Sequence, residues 1–167
     1  MLTKKAKLLV RQTKIQNFNT AKTAGILFDA GNSEDLKQIK EFGKFLANQN
    51  IEFSAIGYID SEIISDDLLF LGNISVFGQK DLDFFFRPTY PDAMTFMSKK
   101  FDMLFDFSLN RNFPLRHIAS LSPSTFKIGQ FTEGDSIHDF MIDIRSKPTL
   151  EFLIEQIKNY ISILNNH

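Results

Sequence analysis

Three features of this sequence predict a three-layer αβα sandwich, Rossmann-like or flavodoxin-like, with a mostly parallel sheet. Short apolar runs alternate with amphipathic stretches, the strand–helix rhythm of α/β domains. The apolar runs are continuous, as expected of strands covered on both faces. The length, 167 residues, suits one such domain.

The elements follow in order. Residues 1–22 carry Lys4, Lys5, Lys7, Arg11, Lys14 and Lys22 and no acid. They read as a basic N-terminal extension, with a helix over 3–16, outside the main fold. Residues 23–167 read as a single α/β domain. Ala24–Phe28 is a strand, closed by the turn Asp29-Ala30-Gly31-Asn32-Ser33. Ser33 can cap the next helix, and Glu34 and Asp35 suit its first turn. Leu36, Ile39, Phe42 or Gly43, and Leu46 share one stripe of that helix. Ile51–Ile59 is the second strand, so the unit is βαβ and the two strands are parallel.

The stretch 61–98 is less regular. Ile74–Phe77 reads as a strand, and Lys80–Phe86 and Pro91–Lys99 as helices broken by Arg87-Pro88. Beyond it, Phe101–Phe107 is a strand and Pro114 opens a helix with Leu115, Ile118, Ala119 and Leu121 inward. Thr125–Ile128 is a strand ended by Gly129, and Phe140–Ile144 is the last strand. Pro148 starts a C-terminal helix, with Leu150, Leu153, Ile154, Ile157, Ile161 and Leu164 on one face.

Composition excludes several chemistries. Cysteine is absent, which removes disulfides, thiol catalysis and cysteine-based zinc sites. The net charge of −1 is not that of a general polyanion binder. Leu8–Val10 is too short for a signal-peptide core, and no apolar run approaches the roughly 18 residues of a membrane span. The expected compartment is the cytoplasm. Phenylalanine is the outlier, with 19 Phe against 3 Tyr and no Trp. Most must be core, and the surplus points to a buried contact face.

In a parallel sheet, ligands bind beyond the carboxyl ends of the strands. Two strand ends carry suitable residues. At the first, Asp29, Gly31, Asn32 and Ser33 form a small-residue turn before a helix N-terminus, where backbone N–H groups can hold an anion. The same residues serve equally as a tight turn and a cap. The turn matches neither a Walker loop nor a dinucleotide fingerprint, so no cofactor is implied. At the second end stand Asp106, Ser108, Asn110 and Arg111. Arg111 can hold a phosphate or carboxylate, Asp106 is an acid inside an apolar run, and Asn110 or Asn112 can instead cap the next helix. His117, His138 and His167 lack metal-ligand spacing, and no nucleophile elbow is present, so no metal and no serine hydrolase is expected. Lys4, Lys7, Arg11 and Lys14 recur every three or four residues and would share one helix face. That face suits RNA phosphates or an anionic surface, or simply solvent.

The runs Phe101–Asn110 (FDMLFDFSLN), Phe113–Ala119 (FPLRHIA) and Phe126–Gly129 (FKIG) combine with Gly25–Asp29 (GILFD) and Thr149–Gln156 (TLEFLIEQ). Together they resemble a family of small uncharacterised proteins of Bacteroidota over nearly the whole chain. That resemblance implies a bacterial cytoplasmic protein and no particular activity. The central stretch is similar, more loosely, to the N-terminal half of heptosyltransferase-like GT-B glycosyltransferases. Those enzymes need a second Rossmann-like domain for the sugar nucleotide, so the similarity implies the fold and not the reaction.

The leading expectation is a non-catalytic binding or interaction module, holding a protein partner or a small anionic ligand at the two strand ends. Two alternatives stand beside it. One is a small enzyme acting on a nucleotide or phosphorylated metabolite at the same edge. The other is an RNA- or ribosome-associated factor using the basic helix. An enzyme predicts that Asp29, Asp106, Ser108 and Arg111 converge on one concave pocket. An interaction module predicts an exposed Phe-rich or basic patch.

Overall fold

The computed structural model describes residues 11–164 except 70, 111, 135 and 136. Six strands form one sheet: β1 (Thr23–Asp29), β2 (Glu52–Tyr58), β3 (Ile74–Phe77), β4 (Met103–Asp106), β5 (Phe126–Gln130) and β6 (Phe140–Ile142). The order is β3-β2-β1-β4-β5-β6, and every neighbouring pair is parallel. This is the doubly wound, Rossmann-like arrangement, and the order reverses between β1 and β4.

Four helices cover the two faces: α1 (Ser33–Asn48), α2 (Pro91–Ser98), α3 (Phe113–Leu121) and α4 (Leu150–Ile163). Strand alternation sorts the side chains. Ala24, Ile26 and Phe28 of β1 join Met103 and Phe105 of β4 under α1 and α4. Leu27 and Leu104 turn the other way, against α2 and α3. Both faces are apolar, so the strands read as continuous runs. The α1 stripe is Leu36, Ile39, Phe42, Gly43 and Leu46, all buried. Gly43 faces the Phe53 ring of β2 so closely that any Cβ would collide with it.

The caps explain the helix starts. Asn32, rather than Ser33, caps α1: its carboxamide oxygen accepts from the N–H groups of Glu34 and Asp35 at 2.9 and 3.4 Å. Asn112 caps α3 through the Leu115 N–H at 3.0 Å. Thr149, after Pro148, caps α4 through the Phe152 N–H at 3.2 Å. Gly129 does not end its strand but lies within β5.

Two expected helices are corrected. The basic helix over 3–16 falls partly outside the described residues, and its described part, Arg11–Gln16, is not helical. This segment lies on the domain: the Lys14 N–H donates to the Thr125 carbonyl at 3.1 Å, and Gln16, Phe18 and Ala21 are buried. Lys80–Phe86 is not an α-helix either. Only Gln79–Asp81 makes a 3₁₀ turn. The Asp83 carboxylate binds the N–H groups of Phe85 and Arg87, each at 2.9 Å, and so replaces helical hydrogen bonding.

Candidate functional site

The order reversal places the carboxyl ends of β1 and β4 side by side. Asp29 ends β1. Its carboxylate accepts from the Asn112 carboxamide at 2.6 Å and from the Asn110 N–H at 3.4 Å. Burial raises its pKa, the Asn110 N–H opposes that rise, and the charges of Asp106 and Asp35 reinforce it. The structure therefore brings Asp29, Asn110 and Asn112 together, as one strand end meeting the next.

Asp106 ends β4 and is buried. One carboxylate oxygen accepts from the Ser108 hydroxyl at 2.5 Å and the Ser108 N–H at 3.1 Å. The other meets His138 Nε2 at 2.9 Å. A carboxylate accepts at both oxygens, so His138 donates through Nε2, and Nδ1 is its other ring nitrogen. That Nδ1 is buried without a hydrogen-bond partner. His138 reaches Asp106 because residue 129 is glycine: a Cβ there would stand 2.7 Å from Nε2.

This cluster has the residue types of a hydrolytic triad in the wrong order. Ser108 donates to the aspartate and not to the imidazole, so the histidine is not aligned as a base on its hydroxyl. The cavity lined by Asp106, Ser108, Arg116, Gln130, Thr132, Ile137 and His138 measures about 20 Å³. That admits about one water molecule.

The other expected residues divide. Gly31, Asn32 and Ser33 are exposed, and Asn32 is engaged in capping α1. No atom crowds the Cβ position of Gly31 apart from Ile59 at 4.0 Å, so no close approach demands glycine there. Arg111, Lys4 and Lys7 lie outside the described residues. Arg11 forms an ion pair with Asp139 and donates to the Ser124 and Thr125 carbonyls at 3.0 and 3.3 Å. Lys14 is exposed.

One site was missed from the sequence. Ile63, Leu69, Phe84, Phe85, Phe86 and Met94 are all exposed, and all lie in the segment around β3. Phe84, Phe85 and Phe86 are 90%, 54% and 65% exposed, although they are consecutive large aromatics. They occupy a clamped turn. Asp83 N–H donates to the Arg87 carbonyl at 2.9 Å, and Phe86 N–H to the Asp83 carbonyl at 3.0 Å. The Arg87 side chain closes the turn on the Asp83 carboxylate, with Nε at 2.7 Å. Those bonds hold the Asp83 pKa below the ordinary value. Phe86 sits at φ 60°, a left-handed conformation that an aromatic residue adopts only under constraint. The signal in the sequence was the triplet itself, beside an Asp and an Arg four residues apart.

Among the described residues, no helix is long and apolar enough to cross a membrane. A family model described as a family of unknown function (DUF6913) matches residues 1–164, and the chain belongs to that family. A search of curated proteins gave no match.

Proposed function

We propose that this protein is a non-catalytic interaction module that docks a protein partner through the Phe84-Phe85-Phe86 turn. The exposure of three adjacent phenylalanines carries this reading. Single exposed apolar residues are ordinary, but a contiguous aromatic patch marks a contact surface. The Asp83–Arg87 clamp supports it further, because it holds the rings outward before a partner arrives. Preorganisation of that kind lowers the entropic cost of binding.

The strand-end cluster offers little to either a ligand or a reaction. Its polar groups are satisfied largely by one another, and its cavity is about the size of one water. A nucleotide or phosphorylated metabolite would need that edge to open.

The test is capture by the tagged full-length chain in lysate of its source cells, against a Phe84→Ser/Phe85→Ser variant. Circular dichroism checks that the variant is folded. The expected result is a partner retained by the parent and lost by the variant. Identical captured sets for the two proteins would refute the reading.

A further inference from the structure

The short helix α2 covers only part of the sheet face it packs on. On that face Leu27, Ile56, Tyr58, Phe77 and Leu104 are buried and apolar. Toward the amino ends of β1, β2 and β3 the same face changes character. Gly25 stands opposite Ser54, and Ser75 opposite Ile56. Strand alternation puts all of them on this face. Ser54 and Ser75 are small, polar and only partly buried. Phe96 and Phe101 sink onto Gly25, whose Cβ position lies 2.9 and 2.7 Å from their rings.

The result is a depression of about 280 Å³ between the sheet and α2. That is close to the lower end of the range for small-molecule sites, roughly 300–1,000 Å³. Ile56, Phe96 and Phe101 give it an apolar floor, and Ser54, Ser75 and Thr95 add hydroxyls to its lining.

α2 adds two opposite charges. Asp92 in its first turn and Lys99 at its C-cap both line the depression. The seven positions between them correspond to about 10 Å along a helix axis. Among the described residues neither forms an ion pair. The Ser75 hydroxyl donates to one Asp92 oxygen at 2.8 Å, which draws the carboxylate toward the sheet. Lys99 Nζ lies 5.1 Å from the centre of the Phe101 ring, which draws the ammonium toward the floor. Both charges therefore border the depression, and neither neutralises the other.

We infer that this depression binds a small zwitterion of dipeptide size with an apolar side chain. The ligand's ammonium meets Asp92 and its carboxylate meets Lys99. Its backbone crosses the hydroxyls, and its side chain rests on Ile56, Phe96 and Phe101. One residue spans about 3.5 Å and two about 7 Å, so two residues with a charge-assisted hydrogen bond at each end suit the separation of the two charges. This site is distinct from the Phe84-Phe85-Phe86 turn and does not rest on the role proposed for that turn.

The probe is the dipeptide Gly-Leu, titrated into the full chain and followed by amide NMR. The expected result is saturable shifts at the amides of Ser54, Ser75, Thr95 and Lys99. N-acetyl-Gly-Leu lacks the ammonium and Gly-Leu amide lacks the carboxylate, and each should bind weaker by about tenfold or more. Asp92→Asn and Lys99→Met, at exposed positions, should each weaken Gly-Leu by a similar factor. Acetylation should then cost little more in Asp92→Asn, and amidation little more in Lys99→Met, because the matching charge is already gone. Phe84→Ser/Phe85→Ser should bind Gly-Leu as the parent does. Absence of saturable shifts, equal affinity for the three peptides, or parental affinity in both charge variants would overturn the inference. Loss of Gly-Leu binding in Phe84→Ser/Phe85→Ser would place the peptide on the aromatic turn and overturn it equally.

Discussion

Gly129→Ala tests whether the Asp106–His138 contact ties the end of β4 to the segment before β6. The added Cβ would lie 2.7, 2.8 and 2.9 Å from Nε2, Cδ2 and Cε1 of His138, closer than packing allows. The backbone of β5 is fixed by its ladders to β4 and β6, so the imidazole must move. Asp106, 8% exposed, then loses the donor at one oxygen. A hydrogen bond to a charged group contributes roughly 1.5–3 kcal/mol. Replacing a strand glycine by alanine returns about 0.5–1 kcal/mol. The net loss is about 1–2 kcal/mol, or a fall in Tm of roughly 2–8 °C for a domain of this size. Urea unfolding followed by circular dichroism measures it. In a His138→Ala background the collision is gone, and Gly129→Ala should be neutral or slightly stabilising. The two sites should therefore couple strongly in a double-mutant cycle. An equal cost of Gly129→Ala in both backgrounds would refute the argument.

Three further predictions concern charge and strain. Lys127 is buried in β5, its Nζ donating to the Ala119 carbonyl at 2.7 Å, and burial first and the Arg11 charge second lower its pKa to about 8. The unfolded chain holds this proton to higher pH than the folded chain, so stability should rise between about pH 8 and 10, by up to about 3 kcal/mol. Lys127→Met should flatten that rise in urea unfolding at several pH values. Above pH 10 the trend should reverse, because burial and then Asp60 raise the Tyr58 pKa to about 12 and the folded chain now binds the extra proton. Asp29 behaves oppositely to a salt-bridged acid. Its raised pKa means that the folded state holds the proton longer, so stability falls as pH rises above about 4, and Asp29→Asn should raise stability at pH 7 and reduce that slope. Phe86→Gly relieves a left-handed φ of 60° and should stabilise the fold by about 1 kcal/mol while weakening partner capture. A less stable Phe86→Gly protein would show that the ring contributes to the fold.

Much of the fold was legible because local and tertiary preferences agree. From Ala24 to Tyr58 the apolar runs, the acids of the first turn and the α1 stripe all point to one βαβ unit, with the cap one residue earlier than expected, at Asn32 and not Ser33. Pairing of β1 with β4 then brought the two expected strand ends together, including Asp29 with Asn112. The Asp106–His138 contact was not legible. It joins residues 32 apart, depends on a glycine in a third segment, and neither residue has a local pattern. The Lys80–Phe86 region was misread because its apolar count suits a helix, whereas Asp83 captures the N–H groups a helix would use. The described part of the expected basic helix, Arg11–Gln16, was misread for a related reason. The spacing of charges suits a helix face, but Arg11 and Lys14 bond the carbonyls of Ser124 and Thr125 just before β5. Buried Lys127 shows the same tertiary control: one ammonium group caps the carbonyl end of α3 from within an apolar strand.

The two ends of this protein's functional question differ in how completely the fold answers its own needs. At the β1–β4 edge, Asp29, Asp106 and Ser108 find partners within the chain. Those residues explain themselves through stability, and a ligand there would have to displace bonds already made. Around β3 the balance runs the other way. Three consecutive phenylalanines stand exposed, one of them at a left-handed φ. A contiguous exposed aromatic patch is unusual on an isolated chain. Strain and exposure that the fold does not need are best accounted for by a second molecule that covers them. On the function proposed above, the partner docks at the Phe84-Phe85-Phe86 turn, whereas Asp106, Ser108 and His138 already bond one another.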